Sequence, residues 1–296
     1  MRALFLLLLL LPLALPCVAQ QDAKSLMWRI SGPVPGADSY LVGTVHSADA
    51  RAFTHFDLML KTMERCDAVV GELDAEQVGR SAATLMSSAF LPAGTDLEDL
   101  YPRKRYKRIR EAMTEALGPM SVMLVRFKPL YLSAALTETT MRKDSSAVLD
   151  DLLQQRARAA GKEVFGLETM QEQTAAMDHV PLAEQADLLY DLVAHDLHRK
   201  EMDRMIELHA RQDLPALAAM ARTQGLSGAF EDGLLVDRNR VMAHRMDSLM
   251  ADGRTFLFAV GALHLPGPEG LLAAMQAKGH TVHAVRREED LPPLRD

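Results

Sequence analysis

Cysteine is scarce in this 296-residue chain, with only Cys17 and Cys66 present. Cys17 falls inside the N-terminal segment treated below as a cleaved leader, so Cys66 stands alone in the mature chain. A lone thiol excludes an internal disulfide, and stability has to come from packed apolar surface. No block of like charge is long enough to divide the chain. With 33 Lys and Arg against 40 Asp and Glu, the formal net charge is −7, a poor balance for a general nucleic-acid or anionic-membrane binder. Beyond the N-terminus no long apolar run is free of charge. The one that comes near, residues 120–136, holds Arg126, Lys128 and Pro129 in its middle, which excludes a bilayer span. The His-Glu-x-x-His arrangement of zincins is absent too: His195 and His198 stand three apart without the glutamate. No low-complexity linker divides the chain.

The N-terminus carries a short basic start, Met1-Arg2, and then an almost purely Leu/Ala/Phe stretch. Pro16-Cys17-Val18-Ala19 supplies small residues at the −3 and −1 positions of a cleavage site. This is the pattern of a secretory signal peptide, and Pro16 directly before Cys17 argues against lipid attachment. The expectation is a leader over residues 1–19 and one exported domain over 20–296. Hydrophobic residues make up 48% of the chain, enough for a sizeable core. The 18 methionines at helical spacing read as adaptable core filler. Cys66 reads as a small buried hydrophobe.

Short β-rich runs fall at 26–31, 39–45, 68–73, 163–167, 255–263 and 281–285, separated by long stretches of helical period. Helices are expected over 54–65, 103–117, 147–160, 181–220 with a break at Asp213-Leu214-Pro215, 234–251 and 267–277. Thr95 and Glu98 have capping-box spacing and mark a short helix start. The basic stretch from Arg103 to Arg108 reads as a solvated helix face. The fold class is α/β (α+β): a central mixed sheet flanked by helices, with a large helical insertion over about residues 75–250.

Four of the apolar runs end alike. Gly43-Thr44-Val45-His46 and Gly261-Ala262-Leu263-His264 place a histidine just past a strand. Gly71-Glu72 and Gly166-Leu167-Glu168 place a carboxylate there. The runs look buried on both faces, as central strands are, and in open α/β sheets the C-terminal strand edge forms the binding crevice. A glycine inside a strand marks a bulge or a close backbone approach. Two histidines with one or two glutamates are a common ligand set for a catalytic divalent ion, and a spare carboxylate suits proton transfer. Each histidine alone reads as readily as a satisfied polar residue. Arg238 and Asn239, in a charged helical run, read from spacing alone as a solvated face.

The order of Gly-Thr-x-His46, Gly-Glu72-Leu, Gly-Leu-Glu168-Thr with Gln173 soon after, Asp237-Arg238-Asn239 and Val-Gly-x-x-His264-Leu resembles the TraB/PrgY/GumN family. Met27-Trp28-Arg29-Ile30 near the start and Lys278-Gly279-His280-Thr281-Val282 near the end resemble it as well, so the likeness covers about residues 26–286. It implies kinship with the Tiki proteins, membrane-attached metalloproteases with paired Gly-x-x-His motifs and a glutamate, and a Tiki-like or erythromycin-esterase/ChaN-like fold. Carried over, it makes His46 and His264 metal ligands with Glu72 as the matching acid. Glu168 becomes a further ligand or the base, and Arg238 and Asn239 line a substrate pocket. The implied cofactor is a divalent ion: manganese, cobalt or zinc. The expectation is a periplasmic or secreted metal-dependent hydrolase of peptides or small molecules, without a transmembrane anchor. The alternatives are a non-catalytic binder of a peptide, haem or metal ion, and a structural envelope protein.

Overall fold

The computed structural model describes residues 24–32, 34–195, 197–223 and 232–293. The leader segment and the side chain of His198 lie outside them. Six strands form one sheet: β1 (Met27–Ser31), β2 (Asp38–Thr44), β3 (Ala68–Gly71), β4 (Glu163–Gly166), β5 (Phe256–Gly261) and β6 (Thr281–Val285). Each coincides with a run read from the sequence. Their order is β4-β3-β5-β2-β1-β6. The first four are mutually parallel, and β1 runs antiparallel to both β2 and β6, so the sheet is mixed, as expected.

Helix α1 (Phe56–Glu64) links β2 to β3. Then come α2 (Ala75–Arg80), α3 (Ala82–Ala89), α4 (Arg103–Leu117), α5 (Pro129–Thr140) and α6 (Leu149–Ala159). After β4 follow α7 (Met170–His179), α8 (Leu182–His195), α9 (Leu197–Ala210) and α10 (Leu214–Thr223). A π-turn over Asp232–Val236 leads into α11 (Asp237–Met250), and α12 (Leu271–Ala277) precedes β6. The expected break near Asp213 separates α9 from α10.

Pro129, met in the sequence as an interruption, opens α5 instead. At the first turn of a helix its missing N–H costs nothing and its fixed φ is already helical. The capping box falls one residue later than the Thr95 spacing indicates. The Asp99 carboxylate accepts the Asp96 N–H at 2.8 Å, and the helix there is a single 3-10 turn, Leu97–Leu100. Helix α7 carries its own box, Thr169 with Glu172.

Both sheet faces are covered. One presents Leu41, Val70, Phe256 and Phe258 to α10, α11 and α12. The other presents Val42, Val69 and Leu257 to α1 and α6. Leu41, Val42, Val69, Val70, Leu257 and Phe258 are fully buried, each worth roughly 1.5–3 kcal/mol of transfer free energy. Methionines 59, 63, 242, 246, 250 and 275 are buried filler between the layers, and Cys66 is a buried free thiol. A third core, with Leu97, Ile109, Met113, Leu132, Leu136 and Leu189, joins α4, α5 and α8 into the helical lobe. Within the stretch 75–250, α6, β4 and α11 belong to the sheet layers and not to that lobe. Among the described residues no helix is long and apolar enough to cross a membrane.

Candidate functional site

Because β4, β3, β5 and β2 are parallel, their C-terminal ends share one edge of the sheet. Across that edge the residues past each strand stand in the order Glu168, Glu72, His264, His46. Pairing continues beyond β3 and β4, with Leu167 N–H on Gly71 O and Glu168 N–H on Glu72 O, both at 2.8 Å. This sets the two glutamates side by side. The strand glycines mark close approaches. A Cβ on Gly43 would stand 3.0 Å from Ala262 Cα, and one on Gly261 would stand 3.1 Å from Glu72 Oε1.

The two carboxylates share one arginine. Arg238 Nη2 donates to Glu72 Oε2 at 2.7 Å and to Glu168 Oε2 at 2.6 Å, while its Nε reaches both Glu168 oxygens at 3.0 and 3.1 Å. Gln173 Nε2 bridges the same carboxylates at 3.2 Å each. The remaining Glu72 oxygen, Oε1, accepts the Gly261 N–H at 2.6 Å. Burial works to raise the Glu72 carboxyl, but the Arg238 guanidinium and the Gly261 N–H outweigh it and hold Glu72 below the usual carboxylate range. Arg238 is held more firmly protonated than usual, because the carboxylates overcome its burial. Arg245 fixes the neighbouring turn through a two-pronged pair with Glu172 at 2.6 and 3.0 Å.

Beside this cluster lies His264, buried and turned toward Glu72, with Nε2 3.8 Å from Glu72 Oε1. Asn239 Nδ2 donates to Glu269 O at 2.8 Å, so its Oδ1 is the atom facing His264 Nδ1 at 2.7 Å. The proton therefore sits on Nδ1 and the lone pair on Nε2. Burial keeps the imidazole neutral by lowering its pKa. An imidazole lone pair and an ionised carboxylate oxygen thus face each other across 3.8 Å, an arrangement that a cation between them satisfies. The hydrogen bond behind a ligating imidazole is the usual support of a metal-binding histidine.

His46 sits on the neighbouring strand end and turns the other way. Its ring is largely exposed, and Nδ1 lies 3.7 Å from Asp150 Oδ2 at the start of α6. Thr44 Oγ1 donates to Asp150 Oδ1 at 2.5 Å. The Asp150 carboxylate beside the ring raises the His46 pKa. Behind it, buried His209 on α9 donates Nε2–H to Gly43 O at 3.1 Å. Among the described residues His209 Nδ1 and Asp150 Oδ2 are buried without a hydrogen-bond partner.

The structure thus gathers Glu72, Glu168, Arg238, Asn239 and His264 into one constellation, with His46 one strand away facing α6. Arg238 is an internal clamp rather than a solvated residue, and Asn239 is 4% exposed, with both ends of its amide engaged. Among the described residues no three His, Cys, Asp or Glu side chains stand together closely enough to hold one ion. The fit to a divalent ion rests on the chemistry of the His264–Glu72 pair. Asp150 and His209 escaped the sequence reading. Asp150 shows only as half of an Asp-Asp doublet at a helix start, and His209 lies in a charged helix with no motif around it.

Cavities flank the constellation. One of about 480 Å³ borders Asn239 and Leu263, and one of about 160 Å³ borders Glu168 and Arg238. A larger one, about 630 Å³, opens at the opposite edge of the sheet beside Asp38, Asp67 and Thr255, away from these groups.

A family model described as TraB/PrgY/gumN matches residues 26–284. Among curated proteins, the chain is 23% identical to "Metalloprotease TIKI2" of Danio rerio, over 93% of this chain and 63% of that protein. It is 23% identical to "Metalloprotease TIKI homolog" of Nematostella vectensis, over 93% and 70%. It is likewise 23% identical to "Metalloprotease TIKI1" of Homo sapiens, over 89% and 62%. The chain therefore spans roughly two-thirds of the length of these relatives. No solved structure matches significantly.

Proposed function

The chain belongs to the TraB/PrgY/gumN family, and on that premise we propose that it is a metal-dependent hydrolase of peptide bonds acting outside the cytoplasm. The observation that carries the reading is the His264–Glu72 pair, a neutral imidazole lone pair facing an ionised carboxylate oxygen at 3.8 Å. The metalloprotease names of distant relatives support the reaction class, and the leader-like start of the sequence supports export.

His264 and Glu72 would hold a divalent ion, and His46, which faces α6 beside Asp150, would have to turn toward them to add a third ligand. Such an ion would supply a Lewis acid for the scissile carbonyl and make an attacking water more acidic. The chain's own groups do the rest. Asn239 fixes the tautomer of His264. The Gly261 N–H and Arg238 keep Glu72 ionised and in place. Glu168 and Gln173 hold Arg238 and Glu72 in register, so the charge of the edge is set by a rigid frame.

Manganese-, cobalt- or zinc-loaded protein incubated with a peptide library and followed by mass spectrometry is expected to give cleavage products that disappear in Glu72→Gln. Products of equal yield in that variant would remove the site from the reaction. Intact peptides held tightly by the wild type would favour the binder.

A further inference from the structure

The cavity of about 480 Å³ shares a wall with the constellation. Its lining is apolar and small on one side: Ala218 and Ala221 on α10 leave the space that a larger residue would fill. Val236, Leu263 and Pro266 close it on the other sides. Asn239, the partner of His264, also lines it, and Leu263 is the residue before His264. Helix α10 packs against the Ala262–His264 turn, which ties the pocket floor to the strand end bearing the histidine. Its volume falls in the range of small-ligand sites, about 300–1,000 Å³, ample for a branched or aromatic side chain.

We propose that this cavity is a specificity subsite that takes an apolar side chain of a peptide, next to the bond presented to His264 and Glu72. The inference rests on the hydrolase reading for the word peptide. An apolar occupant follows from the alanine, valine, leucine and proline walls. Arg222 and Glu269 also line the cavity, one charge of each sign, so the charged part of the wall favours neither an acidic nor a basic side chain. Seating the side chain here sets its backbone against Asn239, whose amide orients His264, so occupancy and reactivity meet at one residue.

The test uses N-acetyl-leucinamide and N-acetyl-glycinamide as probes, titrated calorimetrically into the full chain, so that no turnover is required. The wild type is expected to prefer the leucine probe by at least about 10-fold, the discrimination one apolar pocket provides. Ala221→Phe is expected to abolish the preference and Ala221→Ser to keep it. Equal binding of the two probes by the wild type, or a leucine preference that survives Ala221→Phe, overturns the proposal. Should Ala221→Phe fail to fold by circular dichroism, a photo-leucine amide cross-linked to the wild type decides. Adducts on Val236 or Leu263 support the subsite, and adducts elsewhere overturn it. Leucine-selective binding supports the subsite whether or not any peptide is cut, while cleavage blocked by Glu72→Gln without such selectivity sinks the subsite and leaves the hydrolase standing.

Discussion

At the scale of single residues the site is governed by Arg238. Two carboxylates side by side, Glu168 buried and Glu72 half-buried, repel, and one guanidinium with four contacts inside 3.2 Å turns that repulsion into a clamp. Removing one partner of a buried ion pair costs about 3–5 kcal/mol, because the other charge is left uncompensated. Arg238→Met is therefore expected to lower stability to urea by about that amount, and Arg238→Lys to recover only part of it, since an ammonium cannot reproduce the fork. A loss below about 1 kcal/mol would mean that the carboxylates find water or protons instead. Sequence spacing alone had made Arg238 a solvated residue. The error has a physical source: a helical charge pattern shows which residues share a face, but not that a neighbouring strand end carries the opposite charge.

At the scale of elements the strand ends explain both what was legible and what was not. All six strands are legible because short β-rich runs stand apart from the long stretches of helical period between them, and four of the six end at or next to a glycine with a histidine or glutamate within three residues of it. That their polar termini share one edge followed from the burial pattern of parallel strands. The direction in which each terminal side chain turns did not follow. His264 faces Glu72 because α11 supplies Asn239, and His46 faces α6 because Asp150 and Thr44 meet there, contacts made by helices distant in sequence. Helices α2, α3, α5 and α7 also fall outside the helical stretches that the sequence pattern marks, although Thr169 and Glu172 carry a capping signal.

Two predictions belong to this scale. Gly43→Val is expected to cost about 1–3 kcal/mol by overpacking against Ala262, measured by urea unfolding; unchanged stability would show that the two strand ends have room to part. His209, which joins α9 to β2 through Gly43 O, is held neutral by burial, its pKa lowered to about 4 from 6.5. The unfolded chain takes up this proton below pH 6.5 and the folded chain only near 4. Its contribution is complete above pH 6.5 and falls away as the pH drops through that window, by about 3 kcal/mol. His209→Gln, which keeps a donor for Gly43, is expected to flatten that slope in urea midpoints taken from pH 7 to 4. An identical slope in the variant would contradict it.

At the scale of the whole molecule, one sheet edge collects polar groups from residues 46 to 264, and both faces behind it are packed with apolar side chains. The helical lobe has its own core around Leu97, Ile109 and Leu189 and packs onto that frame through α9. Its existence was legible from helical period, though its division from α6 and α11 was not, since all three share the same amphipathic pattern. What unites the molecule functionally is the claim that a cation belongs between His264 and Glu72. Manganese titration of the purified chain, followed by elemental analysis after gel filtration, tests it most directly. The wild type should retain one ion per chain, and His264→Ala and Glu72→Gln should each retain essentially none while remaining folded. Full retention in both variants would place the ion elsewhere and contradict the account.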